Sequence, residues 1–299
     1  MKRYFLILAI LALFLASCQR GTSQLSSLPR VLAIESFLAD ISRNVAGDRL
    51  TVDTLIPVGA DPHAYQLTPE DAAKVTDADV LVINGANLET FLAPILQNVS
   101  SKQLVISASA GLTPRSDTAG QHAEGDPHFW LDPNNVITYV ENIRAGFSKA
   151  DPAGAAIYAT NAQKYTLELQ SLDSWITSQV QNVAPAHRLL VTNHETFGYF
   201  AGRYGFTVVG AIVPSISSGA APSAQELAAL IDQIRSTGAP AIFLETGSNP
   251  QLADQIASET GVKVVANLYT HSLSAANGPA ATYIDMMKYD VTAIVDALK

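Results

Sequence analysis

The sequence predicts an α/β protein of two lobes, each a four-stranded parallel sheet with flanking helices, joined by one long rigid helix. Three observations carry that expectation. Short apolar runs alternate with helix-like segments along most of the chain, the pattern of parallel strands linked by helical crossovers. Residues 155–184 contain no Gly or Pro and carry an apolar stripe at helical spacing: Tyr158, Ala162, Tyr165, Leu169, Leu172, Ile176, Val180 and Val183. At 1.5 Å per residue, about 30 residues span roughly 45 Å, enough to brace two lobes. Four strand candidates precede that stretch and four follow it.

The elements run as follows. Residues 31–34 form the first strand candidate, and a helix over 36–45 ends near Gly47. Leu50, Val52, Thr54 and Ile56 alternate and read as a second strand over 50–56. A loop over 57–65 comes next. Thr68, Pro69, Glu70 and Asp71 mark a helix start: a cap, a Pro whose missing N–H is harmless there, and acids that suit the helix dipole. Residues 79–83 read as a buried strand, 88–99 as a helix and 104–107 as a strand. The segment 111–125 interrupts this rhythm with small and polar residues, His122 among them at the surface. Asp132 and Pro133 supply a cap and first residue for a helix over 134–147.

After Pro185 the alternation resumes. A strand over 189–191 leads into Thr192, Asn193 and His194, followed by a helix over 196–204 closed by Gly205. A strand over 206–212, a loop over 217–223 and an amphipathic helix over 224–236 follow. A strand over 241–244 ends at Glu245, then come a helix over 250–260 and a strand over 262–265. The loop 268–280 carries His271, and residues 283–298 form the closing helix. His187, just before a strand, reads as a surface residue.

Composition narrows the class. With 48% hydrophobic and 15% charged residues the chain is globular rather than disordered. Lys2 and Arg3 precede an apolar run of 12 residues, Phe5 to Ala16, too short to span a bilayer and suited to a secretory leader. Leu15, Ala16, Ser17 and Cys18 follow and resemble a bacterial lipobox. The expected organisation is a signal peptide over 1–17, a lipidated Cys18 with a tether to residue 28, an N-terminal lobe over 29–150, the linking helix over 151–184, and a C-terminal lobe over 185–299. Cys18 is the only cysteine, so no intramolecular disulfide is possible. Acyl chains on it would anchor the protein outside the cytoplasmic membrane, in the cell envelope. Loss of Lys2 and Arg3 with the leader takes the net charge from −9 to −11. Such an acidic body is a poor partner for nucleic acid. The chain has no Walker A motif, so ATP is not bound in the P-loop manner.

The chemistry concentrates in histidines. The triplet Asp-Pro-His occurs at 61–63 and again at 126–128. Proline fixes its own φ and restricts its neighbour, so each triplet presents its histidine on stiff backbone. Phe129, Trp130 and Leu131 anchor the second. His63, His128, His194 and His271 are separated by 65, 66 and 77 residues, each near a strand or helix end. Ligands of open α/β sheets gather at the carboxyl ends of strands, and two facing lobes would bring two histidines from each into one cleft. Four neutral imidazoles suit Zn²⁺ in tetrahedral geometry. Mn²⁺ favours more oxygen, while Cu²⁺, Ni²⁺ and Co²⁺ also accept imidazole. Asp61, Asp126, Glu195 and Glu245 are available as carboxylates that orient the rings from behind. Glu245 is alternatively an accessory metal ligand.

At four stretches the chain resembles the cluster A-I solute-binding lipoproteins of zinc and manganese ABC importers, the ZnuA- and TroA-like proteins. The stretches are I-P-V-G-A-D-P-H-A-Y-Q-L-T-P-E-D at 56–71, D-P-H-F-W-L-D-P at 126–133, T-N-H-E-T-F-G-Y-F-A-G-R-Y-G-F at 192–206, and T-Y-I-D-M-M at 282–287. The resemblance implies a receptor rather than an enzyme. It would capture Zn²⁺, with Mn²⁺ the alternative, between the lobes and deliver it to an ABC permease driven by a cytoplasmic ATPase. It also implies a monomer, a rigid bracing helix, and metal ligands at His63, His128 and His194. The family's fourth ligand is usually acidic, within a T-D-S-L-like stretch; here that stretch reads Thr270, His271, Ser272, Leu273. Either His271 ligates or three histidines are completed by water or Glu245. Segment 111–125 sits where zinc-type members carry a His-rich loop. The rival readings are a zinc hydrolase with Glu195 or Glu245 as base, although H-E-x-x-H is absent, an adhesin with structural zinc, and a receptor for a larger chelate.

Overall fold

A computed structural model describes residues 28–97, 102–116, 125–214 and 221–299. The expected leader with Cys18, the end of the helix expected over 88–99, His122, and part of the loop 217–223 lie outside the described residues. The N-terminal lobe is built from β1 (Val31–Ala33), α1 (Ser36–Ala46), β2 (Val52–Thr54), α2 (Pro69–Asp77), β3 (Val80–Ile83), the short α3 (Ala93–Leu96) and β4 (Leu104–Ser107). Two helices then follow, α4 (Pro133–Ala150) and α5 (Ala155–Val180). The second lobe has β5 (Leu189–Thr192), α6 (Gly198–Tyr204), β6 (Thr207–Ala211), α7 (Ala224–Thr237), β7 (Ala241–Glu245), α8 (Gln251–Thr260), β8 (Lys263–Leu268) and α9 (Tyr283–Leu298).

Every strand pair is parallel. The sheet orders are β2-β1-β3-β4 and β6-β5-β7-β8, the same winding used twice. In each sheet the chain first moves outward and then returns to the other side of its first strand. The crevice between β1 and β3, and that between β5 and β7, are therefore topological switch points, where open α/β sheets bind ligands.

Side-chain alternation explains how the layers pack. On β1, Val31 and Ala33 face one core while Leu32 and Ile34 face another. On β7, Ala241 and Phe243 face that same first core, and Ile242 and Leu244 face a third formed with α7 and α8. One face of each sheet thus packs into a single apolar mass, which also takes up α1, α4, α5 and α9. The buried stripe of α5 is Tyr158, Ala162, Tyr165, Leu169, Leu172, Ile176 and Val180, as the sequence spacing requires. The helix is 26 residues long, shorter than the expected 30. Pro185 explains this, because it disfavours helix in the residue before it, and Gln181 to Val183 leave the helix in a turn.

Local chemistry sets the ends. Thr68 caps α2 through a capping box with Asp71, and Asp132 caps α4 by accepting the Asn134 N–H at 2.9 Å. The expected helix over 88–99 is corrected to a 3₁₀ turn, Thr90–Leu92, followed by one short α turn. Pro94 has no N–H to bond the Thr90 carbonyl, which breaks a continuous helix through it; Gly85, Ala86 and Asn87, with positive φ, form the turn just before this stretch. The strand expected over 50–56 is shorter at its ends, and β8 runs further than expected, to Leu268.

One ion pair fixes the start of the bracing helix. Arg49 grips Asp151 with two N–H groups at 2.7 and 2.9 Å, and the Tyr158 hydroxyl donates to the same carboxylate at 2.6 Å. The guanidinium holds the Asp151 carboxyl down at about 2. A depressed carboxyl stabilises the fold above its unfolded pKa of about 4 and loses that contribution as pH falls towards 2. The variant Asp151→Asn is expected to cost about 2 kcal/mol at neutral pH, the worth of a charge-assisted pair. Thermal unfolding at several pH values checks this: the gap to wild type should close between pH about 4 and 2. A gap that persists at pH about 2 would assign the loss to packing.

Candidate metal centre

The four histidines arrive from four separate loops, each tied down locally. His63 follows the turn at Gly59, whose φ of +86° favours glycine. Asp61 Oδ1 accepts the His63 backbone N–H at 2.9 Å. Asp126 Oδ1 accepts the His128 backbone N–H at 2.9 Å in the same way. The repeated triplet is thus one local device used twice: the aspartate folds back on the histidine two residues on, with proline between them. His128 is further held from the β1/β3 crevice, where Asn84 Nδ2 donates to the Pro127 carbonyl at 3.1 Å. Phe129, Trp130 and Leu131 form a fully buried 3₁₀ turn beneath it.

The second lobe supplies its two from either side of a switch point. His194 follows β5, and Glu245 ends the neighbouring β7. Both strands change register near these ends, at Leu190/Val191 and at Phe243/Glu245. Such irregularities re-aim side chains next to sites. His271 follows β8. Asp290 of α9 accepts the Tyr269 N–H at 2.8 Å, and Trp130 Nε1 donates to the Thr270 carbonyl at 2.7 Å. The loop that carries His271 is therefore fixed partly by the other lobe.

The four side chains meet. One ligating atom from each of His63, His128, His194 and His271 lies within 4.8 Å of all the others. Nε2 of His63 is 3.2 Å from Nε2 of His128 and 3.2 Å from Nε2 of His271, and the last two are 3.0 Å apart. Nitrogens around a tetrahedral zinc with bonds of about 2.0–2.1 Å are roughly 3.3 Å apart. His128 and His194 are fully buried, His271 nearly so, and His63 half-buried. His194 Nε2 is a buried nitrogen with no hydrogen-bond partner.

Carboxylates stand behind the rings. Nδ1 of His128 is 2.8 Å from Asp126 Oδ1. Nδ1 of His194 is 2.8 Å from Glu245 Oε1, a close contact whose angle falls short of a hydrogen bond. Nδ1 of His271 is 3.2 Å from Glu245 Oε2 and 2.8 Å from Thr270 Oγ1. A carboxylate facing Nδ1 places the ring proton there and leaves the Nε2 lone pair for a cation. One carboxylate thus faces Nδ1 of two histidines.

The charges respond accordingly. Burial pushes the Asp126 carboxyl up to about 7, against the His128 N–H and the positive charge of Arg115. Burial also acts to raise Glu245, but His194 and His271 outweigh it and hold this carboxyl well below the usual range. Burial acts to lower His194, and Glu245 outweighs that, so the imidazole is raised. A dication among the Nε2 atoms would favour the ionised form of both carboxyls.

Of the other residues considered, His187 is exposed on a 3₁₀ turn before β5. Glu195 lines a separate cleft with Arg115 and Asp126, one that Glu245 does not line. Two residues make contacts that sequence reasoning did not foresee: Ser272, and Trp130 beyond its expected anchoring of His128. Trp130 packs its ring 5.2 Å from that of His128 and 5.6 Å from that of His271, and it stacks on Phe37 at 4.5 Å. Ser272 Oγ accepts the Gly59 N–H at 2.7 Å and meets Ser36 Oγ at 3.2 Å, which clips the His63 turn to the other lobe. Both depend on contacts between lobes, which no local pattern records.

Comparison with known proteins places this geometry. A family profile described as ZnuA, the periplasmic component A of the zinc-uptake complex, matches residues 31–297. The manganese-binding lipoprotein MntA of Halalkalibacterium halodurans is 33% identical over 296 residues, covering 98% of this chain and 97% of MntA. A Mn-bound mutant of a periplasmic metal-binding protein from Candidatus Liberibacter asiaticus superposes with a TM-score of 0.84 at 33% identity, covering 91% of this chain and 100% of that one. The periplasmic zinc-binding protein TroA of Treponema pallidum superposes with a TM-score of 0.85 at 26% identity, covering 91% and 99%.

Proposed function

From a chain that belongs to the ZnuA family of periplasmic metal-binding receptors of ABC importers, we propose a receptor whose cargo is zinc, held by His63, His128, His194 and His271. The observation that carries this reading is the donor set: four imidazoles converge, and two carboxylates sit behind them rather than among them. Nitrogen-only coordination suits zinc, whereas manganese favours oxygen. Asp126 and Glu245 supply two negative charges one bond further out, enough to balance a dication. Four protein ligands leave no open position for a reacting water, so the site binds and releases rather than catalyses.

The reading continues outward from the site. Cys18, lipidated, tethers the protein in the cell envelope, and the receptor works as a monomer that hands its ion to a permease coupled to a cytoplasmic ATPase. The expected division into leader, tether, two lobes and linking helix belongs to the same proposal. Manganese is the second reading, favoured by the name of the relative MntA.

Competitive titration of the metal-stripped protein tests the choice. We expect one zinc per chain, bound at least about 100-fold more tightly than manganese, in keeping with the nitrogen donors. The stripped protein should keep its circular dichroism, since the apolar core does not depend on the ion. Binding should weaken as pH falls through the imidazole range near 6.5, where protons compete for the ligands. Comparable manganese affinity would overturn zinc, and unfolding on stripping would overturn the receptor in favour of structural zinc.

A further inference from the structure

We propose that the cleft outside the four histidines is a second cation station: an antechamber that holds a divalent cation with its water shell before the imidazoles take it. The proposal rests on the metal-receptor reading above. It starts from uneven burial. His128 and His194 have no exposed surface, His271 is 7% exposed, and His63 is half-buried. Of the four ligands, His63 and His271 are the two with surface open to solvent.

Beside His271 lies a cleft of about 430 Å³ between the lobes. Its floor includes His271 and Glu245, and its walls include Asp61, Asn193, Asn249 and Ser272. Of the four histidines His271 lines it, and His63, His128 and His194 do not. A second interlobe cleft, of about 380 Å³, reaches Asp126 but none of the four histidines. Of these two clefts, the first is the one that touches a ligand, His271.

Its size and lining suit a hydrated ion. Six waters at about 30 Å³ each occupy roughly 180 Å³, so a fully hydrated dication fits with room to turn. Amide and hydroxyl groups accept hydrogen bonds from the ion's waters without competing with imidazole for the ion itself. Asp61 brings a negative charge to this wall, and charge in a low-dielectric cleft concentrates counter-ions. The same Asp61 Oδ1 accepts the His63 N–H. The residue that attracts the ion also orients the most exposed ligand, which links arrival to capture. Glu245 on the floor is engaged by His194 and His271. Shedding of water onto imidazole thus begins at His271, the histidine that lines the cleft.

Stopped-flow kinetics with zinc ion alone test this, with uptake read as the loss of free zinc by a fluorescent zinc indicator, so that Trp130, Trp175 and any added tryptophan stay out of the signal. Dissociation is read by chasing the loaded protein with excess chelator. Asp61→Asn keeps an oxygen for the His63 N–H but removes the charge. We expect association about three- to tenfold slower at low ionic strength, converging with wild type near 1 M salt, where screening lengths shrink to about 3 Å. Its dissociation rate should stay within about twofold. Ser248→Trp narrows the cleft by adding bulk to a lining residue. An obstacle on a path slows passage both ways, so association and dissociation should fall together by about tenfold, with Kd unchanged within about twofold.

Faster dissociation and weaker Kd in Ser248→Trp would overturn the antechamber and make the cleft wall part of the closed site. Unchanged rates in both variants would place the path elsewhere and equally overturn it. If wild-type protein takes up no zinc at all, the receptor reading itself fails, which separates the two failures.

Discussion

Substituting His271 by alanine is expected to lower zinc affinity by about two to three powers of ten. Four-ligand zinc sites in small folds are worth about 10–16 kcal/mol, so each ligand carries roughly 3–4 kcal/mol, and every 1.4 kcal/mol is tenfold. The stripped variant should melt no lower than wild-type apoprotein. Nε2 atoms of three buried or half-buried rings stand 3.0–3.2 Å apart, and removing one ring relieves that crowding. Affinity and apo stability should thus part company, as they do where a site stores unfavourable contacts for its ligand. Calorimetric titration with zinc, beside thermal melts of the apo forms, reads both. A loss below tenfold would mean that three histidines and another donor hold the ion. The fourth place would then belong to water or to Glu245.

Replacing Glu245 by glutamine should cost about 10- to 100-fold in zinc affinity, although no proposed ligand is touched. The carboxylate faces Nδ1 of His194 with one oxygen and Nδ1 of His271 with the other. Glutamine has one oxygen and one NH₂ group at the same places. The ring that meets the NH₂ must present a lone pair at Nδ1, which moves its proton to Nε2 and removes it as a donor to the cation. The substitution should therefore disable one ligand and leave its neighbour intact. Nitrogen-15 NMR of the imidazoles distinguishes the tautomers directly. Both histidines retaining protonated Nδ1 in Glu245→Gln, with affinity within threefold of wild type, would exclude the tautomer role.

Much of this arrangement is legible in the sequence, for reasons that differ by element. The bracing helix is readable because its apolar stripe must repeat at 3.6 residues to be buried, and Tyr158 to Val180 do so. The caps at Thr68 and Asp132 are readable because they are local hydrogen bonds. The histidines of the two Asp-Pro-His triplets stand out because their positioning is local too, with the aspartate, proline and histidine adjacent. The region after β3 was misread as helix. Leu88 and its neighbours have helical composition, but Gly85, Ala86 and Asn87 adopt left-handed backbone as the chain turns over Glu89. The amide groups of Asn84 and Gly85 both donate to the Glu89 carboxylate there. The pairing of Glu245 with two rings was legible only as a supply of carboxylates, because which ring each serves is decided by the register shift in β7 and the loop after β8.

The apolar mass shared by both sheets also limits how this molecule can announce its state. A hinged clamp signals its cargo by changing shape, and every binding partner can read that change at a distance. Here Val31 and Ala33 of one sheet and Ala241 and Phe243 of the other are buried in the same cluster, so swinging the lobes apart would tear a core. A signal that the cleft is full would then be confined to the loops that carry the histidines, such as the one around Gly59 and His63. A downstream recogniser has to inspect those loops at close range rather than sense a silhouette.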